Sequence, residues 1–188
     1  NAERPGWTPS EKVIDSAFDK VFREAKGRII VATFASLISR MQQVINAAMR
    51  YHRKVAFVGL SMTENVKIAK QLGYVDFEED VVIPPETALQ MADSQVVLLV
   101  TGSQGEQRAA LARVAEGEHP EISLTTGDTV IFSSRTIPGN EKSVGKIVNN
   151  LAKMGVEIVT DRDALVHVSG HPRKEELRRM YEWVRPKV

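Results

Sequence analysis

The sequence predicts an α/β fold with a mainly parallel, doubly wound (Rossmann-like) sheet and helices on both faces. Three observations lead there. Short runs of Ile, Val and Leu, such as Val96-Val97-Leu98-Leu99-Val100, are apolar without alternation, as strands buried on both faces are. Segments with apolar residues at helical spacing separate these runs. Strands and helices that alternate in this way pair in parallel and place helices on each face. The 188 residues suffice for one sizeable domain with its own core.

The elements follow in order. Thr8-Pro9-Ser10-Glu11 has the pattern of a capping box with proline at the first helical position. It predicts a helix to about Ala25, with Val13, Ile14, Phe18, Val21 and Phe22 on one face, stopped by Gly27. Arg28–Thr33 reads as a buried strand. Ser36–Tyr51 reads as a helix, with Leu37, Met41, Val44, Ile45 and Ala48 on one stripe. Lys54–Val58 is the next strand, broken by Gly59, and Glu64–Leu72 is helical. Tyr74–Ile83, with Asp76, Glu78, Glu79 and Asp80, reads as a solvated acidic loop. Pro84-Pro85-Glu86 starts a short helix, Gln95–Thr101 is a strand, and Glu106–Ala115 is helical. Asp128–Phe132 is a strand, Asn140–Met154 a helix and Val156–Val159 a strand. The extended segment Leu165–Val168 then leads into a last helix ending near Val184. In that helix Met180, Tyr181 and Trp183 are expected to be core, as residues at such spacing usually are.

Composition narrows the function classes. A net charge of +1 gives no global pull toward nucleic acid, so any anion site is local. Zero cysteines excludes disulfides and thiolate metal sites and fits a reducing cytoplasm. No apolar run is long enough to span a membrane, and no signal peptide is visible. The chain opens at Asn1-Ala2-Glu3-Arg4-Pro5-Gly6 and closes at Arg185-Pro186-Lys187-Val188. The expectation is a single domain, 1–188, cut from a longer protein.

The polar motifs sit where strands end. Gly59-Leu60-Ser61 follows one strand, Thr101-Gly102-Ser103-Gln104-Gly105-Glu106 another, and Ser133-Ser134-Arg135-Thr136 a third. Val166-His167-Val168-Ser169-Gly170-His171-Pro172 follows a fourth extended segment. There His167 and Ser169 share a face, and Pro172 in a first helical turn places His171 at or next to the cap. In a parallel sheet all four loops emerge at the carboxyl edge, where open α/β sheets bind ligands. Small residues let a ligand approach the backbone, and imidazoles and hydroxyls suit an anion.

Several chemistries do not match. The Gly102–Glu106 stretch lacks the lysine of a P-loop and the spacing of a dinucleotide fingerprint. Gly170 and Pro172 break the helix that a zincin pair at His167 and His171 needs, and no third histidine lies nearby. No metal site is expected in this chain. A nucleophile elbow is also missing.

Taken together the blocks resemble a known family. Ala32-Thr33-Phe34-Ala35-Ser36, Val58-Gly59-Leu60-Ser61-Met62, Thr101–Glu106, Val130-Ile131-Phe132-Ser133-Ser134 with Ile137-Pro138-Gly139-Asn140-Glu141, and His167–His171 are similar, in order, to the β-CASP domain of bacterial ribonuclease J. These are ribonucleases of the metallo-β-lactamase superfamily. The resemblance implies a domain inserted into a lactamase domain whose two zinc ions activate water for phosphodiester hydrolysis in RNA processing. The chain lacks that domain's His-x-His-x-Asp-His motif, so alone it is expected to fold but be inactive. His171 matches the family's motif B histidine. The resemblance makes it the catalytic residue, contacting the scissile phosphate or a zinc-coordinated group. His167, Ser169 and Gly170 would bind RNA phosphate, joined by Gly59, Ser61, Gly102, Ser103, Gln104, Gly105, Ser133 and Ser134. The implied partners are single-stranded RNA, read largely without sequence preference, and the lactamase domain. A homo-oligomeric parent and either exonuclease or endonuclease action stay open.

Four positions depart from the family's habit. Leu37 and Ser39 stand in a block that usually reads Asn-x-His, Leu60 stands for a common arginine, and Gln107 for a proline. These departures bear on recognition of an RNA 5′ end. Two other readings fit the residues: a phosphosugar-binding isomerase-like domain, and a non-catalytic module that packs through an exposed face of the last helix.

Overall fold

The structure, a computed structural model, describes residues 1–187. Among them are five strands and seven α-helices. The strands are β1 (Ile29–Ala32), β2 (Lys54–Val58), β3 (Val96–Val100), β4 (Thr129–Phe132) and β5 (Glu157–Val159). They form one sheet in the order β2-β3-β1-β4-β5, and every pairing is parallel. The helices are α1 (Ile14–Glu24), α2 (Ile38–Arg50), α3 (Leu60–Gln71), α4 (Pro85–Ala88), α5 (Ala110–Ala115), α6 (Glu141–Lys153) and α7 (Lys174–Val184).

Side-chain alternation along the strands builds two cores. Ile29 and Val31 face a cluster with Phe18 and Phe22 of α1, Met41 and Ile45 of α2, and Met62 and Val66 of α3. Ile30 and Ala32 face the other cluster, with Leu111 and Val114 of α5 and Ile147 and Leu151 of α6. The doubly wound α/β expectation therefore holds. Phe18 and Phe22 are almost wholly buried with ring centroids 6.0 Å apart. Truncating either to alanine costs about 3–5 kcal/mol.

Several boundaries differ from the expectation, each for a visible reason. The capping box at Thr8–Glu11 does not form. Thr8 turns its amide (2.9 Å) and hydroxyl (2.5 Å) to Glu176 Oε2, and Glu11 pairs with Arg40. Ser10 caps instead, accepting from the Lys12 amide at 3.3 Å, and a 3-10 turn over Glu11–Val13 precedes α1. Helix α3 begins at Leu60, because Gly59 at φ +112° makes the turn from β2 directly. Helix α5 begins only at Ala110, because Glu106 folds back to accept the Gln104 amide at 3.0 Å.

The acidic loop keeps Asp76, Glu78, Glu79 and Asp80 in solvent. The residues that follow the acids, Val81 to Ile83, shield the outer edge of β2. Val55 donates to Val81 O at 2.8 Å, and Ile83 donates to Val55 O at 2.9 Å. That contact covers an otherwise open strand edge.

The last helix overturns an expectation. No residue of α7 is buried, and Met180, Tyr181 and Trp183 are 55%, 63% and 74% exposed rather than core. Its start is what is held: Lys174 donates to Arg4 O, and Glu176 accepts from Thr8 and Arg173. Neither core cluster contains a residue of α7. Among the described residues no helix is long and apolar enough to cross a membrane.

Candidate functional site

Parallel pairing sends the loops after β1, β2, β3 and β4 to one edge of the sheet. The histidine segment reaches that edge differently from the expectation. Leu165–Val168 is irregular and is not a strand. Val166 O is taken by side chains instead of a ladder: Arg40 Nη1 donates to it at 2.7 Å, and Ser133 Oγ donates at 2.7 Å. The Val166 amide donates to Ala164 O. Side-chain alternation survives. Val166 and Val168 enter the first core, and His167 and Ser169 line one small cavity of about 90 Å³.

Arg40 organises this junction. It has no solvent exposure. Besides Val166 it donates to Ser133 Oγ, to Gln43 Oε1 at 2.9 Å, and to Glu11, its carboxylate partner. A buried guanidinium needs such a set of partners, since an unpaired one would be strongly disfavoured. Burial draws its pKa down and Glu11 opposes the shift, so the cation persists.

The cavity beside His167 is cationic. Arg4, Arg135 and Arg173 line it together with Asn1 and Thr8. Arg135 is paired with Asp161 at 3.2 Å. Ser169 Oγ accepts from Asn1 Nδ2 at 2.6 Å and from the His171 amide at 3.3 Å, and lies 3.4 Å from His171 Nδ1. His171 is exposed, and its carbonyl is held by Asn1 and Thr8. It lies two residues ahead of the α7 cap at Arg173 rather than at the cap, and Pro172 precedes the helix. His167 is half-buried, and its Nδ1 is buried without a hydrogen-bond partner. Burial pushes its pKa below the ordinary value. The Arg40 charge adds to this and Arg135 does so more weakly, against Glu11 and Asp161. A neutral imidazole between cations can donate to, or accept from, a phosphate oxygen.

The remaining sequence-predicted residues fall into two groups. Gln104 is buried, and its side chain is fully used within the protein. Nε2 donates to Ser134 Oγ (3.3 Å) and Arg135 O (3.0 Å), and Oε1 accepts from the Ile137 amide (2.8 Å) and Asn140 Nδ2 (3.4 Å). It latches the loop after β3 to the loop after β4. Ser133 is buried in the Arg40 junction, and Ser103 is buried with its hydroxyl unpartnered. Gly102 and Gly105 have positive φ and close contacts, Gly105 against the start of α6. Gly59 and exposed Ser61 sit elsewhere, around a cavity beyond β3 from the histidines. Gly170 is open to space.

Comparison with known proteins decides the family. The profile described as "Ribonuclease J, beta-CASP domain" matches residues 26–151. "Ribonuclease J" of Mycolicibacterium smegmatis is 46% identical over 187 residues, covering 100% of this chain and 34% of the relative. "Ribonuclease J" of Sinorhizobium meliloti is 43% identical over 188 residues, covering 100% of this chain and 33% of the relative. The chain belongs to the ribonuclease J β-CASP family. It spans about a third of the length of these curated relatives.

Within this β-CASP domain, sequence reasoning missed the arginines. Arg40 carried a legible signal, since it falls in the apolar stripe of α2 between Leu37 and Val44, where a charge must find a buried partner. Arg4 and Arg173 carried none. They meet because residues 1–8 of the β-CASP chain lie along the start of α7. Among the described residues no group of three or more His, Asp or Glu side chains could hold a metal ion. These residues do not by themselves fit a metal.

Proposed function

We propose that this chain is the RNA-binding half of a ribonuclease that hydrolyses phosphodiester bonds. The observation that carries the reading is the loop His167-Val168-Ser169-Gly170-His171. Arg40 and Ser133 pin it at the sheet edge, facing a cavity lined by Arg4, Arg135 and Arg173. Family membership and relatives named ribonucleases support it. In this reading His167 and Ser169 hold an RNA phosphate, with Gly170 leaving room for the backbone. His171, exposed beside them, meets the reacting phosphate. The loops at Gly59, Ser61, Gly102, Ser103, Gln104, Gly105, Ser133 and Ser134 shape the same edge. A lactamase domain would supply the two zinc ions and with them the activation of water, and the exposed Met180, Tyr181 and Trp183 of α7 pack against it. The whole enzyme works in the cytoplasm on single-stranded RNA.

Binding tests the reading. The chain should bind 5′-monophosphorylated single-stranded RNA with an affinity that falls as salt rises. His167→Ala and Ser169→Ala should each weaken binding. The chain alone should not cleave RNA with zinc or manganese added. Equal binding of RNA by all three proteins would overturn the assignment, and cleavage by the pure chain would overturn its division of labour.

A further inference from the structure

A second cluster of cations lies at the same edge, on the other flank of the sheet. A cavity of about 470 Å³ opens at the ends of β2 and β3, beside Gly59, Ser61 and Thr101. Arg108, in the turn before α5, and Arg113 of α5 line it, as does His119. Among the described residues neither arginine has a carboxylate within ion-pair distance. Arg113 is aimed by a bond from Nη2 to Glu118 O at 3.3 Å.

His119 has a fixed orientation. Its Nδ1 accepts from the amides of Glu121 (3.4 Å) and Ile122 (3.2 Å). The ring proton is therefore on Nε2, which is left as a donor. Burial and the Arg113 charge, opposed by Glu121, lower its pKa, so the ring is neutral at physiological pH. Among the described residues Glu64 is the only carboxylate lining the cavity. Opposite unpaired guanidinium groups, one carboxylate suits a sugar hydroxyl better than a second cation.

Gly59 keeps the floor open. At φ +112° a Cβ there would lie 2.9 Å from Thr101 Oγ1. Leu60 is 76% exposed on the rim. Arg108 brings positive charge to the cavity from the facing loop. The cavity sits about 10–14 Å from β4 across the sheet, at two to three strand spacings.

We propose that this cavity is a second site for a phosphate ester of a ribonucleotide unit, its phosphate on Arg108, Arg113 and His119 and its ribose hydroxyl on Glu64. The proposal rests on the RNA reading, because a strand held at His167 can cross the edge to reach it. A free nucleotide presents the same chemistry.

NMR on the 188-residue chain separates these sources. The probes are a 5′-monophosphorylated dinucleotide, a 5′-monophosphorylated 12-mer RNA, AMP and inorganic phosphate. The 12-mer should move the Arg113 and His119 side-chain signals together with His167–His171, whereas the dinucleotide should move only the latter. Arg108 is exposed, and among the described residues its side chain makes no hydrogen bond or ion pair, so Arg108→Ser should leave the fold intact. It should weaken the 12-mer about three- to tenfold and flatten the salt slope by about 0.7, with the dinucleotide unchanged. Arg108→Lys should recover most of the loss. A response of Arg113 and His119 to AMP but not to the 12-mer also supports the site and gives it to free nucleotides. A response there with silence at His167–His171 keeps this site and defeats the RNA reading of the histidine loop. No response at Arg113 and His119 to any probe, or unchanged 12-mer binding by Arg108→Ser, overturns the proposal.

Discussion

Arg40 donates to the carbonyl of Val166 at 2.7 Å, one residue ahead of His167. The bond ties a helix on one face of the sheet to the loop proposed to hold phosphate, and Ser133 Oγ reinforces it on the same carbonyl. Arg40→Met removes the cation and leaves Glu11, Ser133 and Val166 short of a partner. Glu11 is about a third exposed, so water repairs part of the loss. Urea unfolding should show a destabilisation of about 2–4 kcal/mol. Arg40→Lys keeps the charge without the fork of donors and should fall between the two.

His167 makes stability depend on pH. Its pKa in the fold is below the ordinary histidine value, through burial and then Arg40. The unfolded chain therefore takes up a proton that the fold resists. Stability is full above about pH 6.5 and is lost as pH falls from there through the depressed folded value. His167→Gln should flatten that part of the profile. Arg40→Met should move the His167 titration, followed by NMR, upward toward the ordinary value.

Two glycines should behave oppositely. Gly105 has φ +81°, and a Cβ there would lie 2.6 Å from Ser143 Cβ and 2.7 Å from its carbonyl carbon. Gly105→Ala should cost more than about 1–2 kcal/mol, since the left-handed backbone alone costs that much. Gly170 has open space around it. Gly170→Ala should leave the unfolding midpoint within about 0.5 kcal/mol of the parent while crowding the approach of RNA.

Gln104 should prove to be a latch between loops. Gln104→Glu puts an acceptor where Ser134 Oγ and Arg135 O are met by Nε2. A loss of about 1–3 kcal/mol is expected in thermal or urea unfolding. Amide exchange should quicken at Ile137, whose amide donates to Oε1.

Much of the fold was legible because its signals are local. The unbroken apolar runs of β2 and β3 and the stripes of α2 and α6 state their own period. The carboxyl-edge placement of the polar loops followed from parallel strands. What escaped was set by partners far along the chain. Leu165–Val168 reads as a strand because its valines alternate, but its key carbonyl is claimed by Arg40 and Ser133. Thr8 reads as a cap for α1 but serves Glu176. The apolar residues of α7 read as core, though nothing among the described residues covers them. Two of the three arginines at the histidine cavity are Arg4 and Arg173, and only the meeting of residues 1–8 with the start of α7 brings these together.

The most direct measurement is a chemical-shift map of the chain with a short 5′-monophosphorylated single-stranded RNA, with glucose 6-phosphate and free phosphate as controls. The result expected is saturable, salt-sensitive movement at His167, Ser169, Gly170 and His171 and at the Arg4 and Arg173 side chains, stronger for RNA than for either control. Silence of those residues toward RNA, or a stronger response to the sugar phosphate, would contradict an RNA-binding role for this edge.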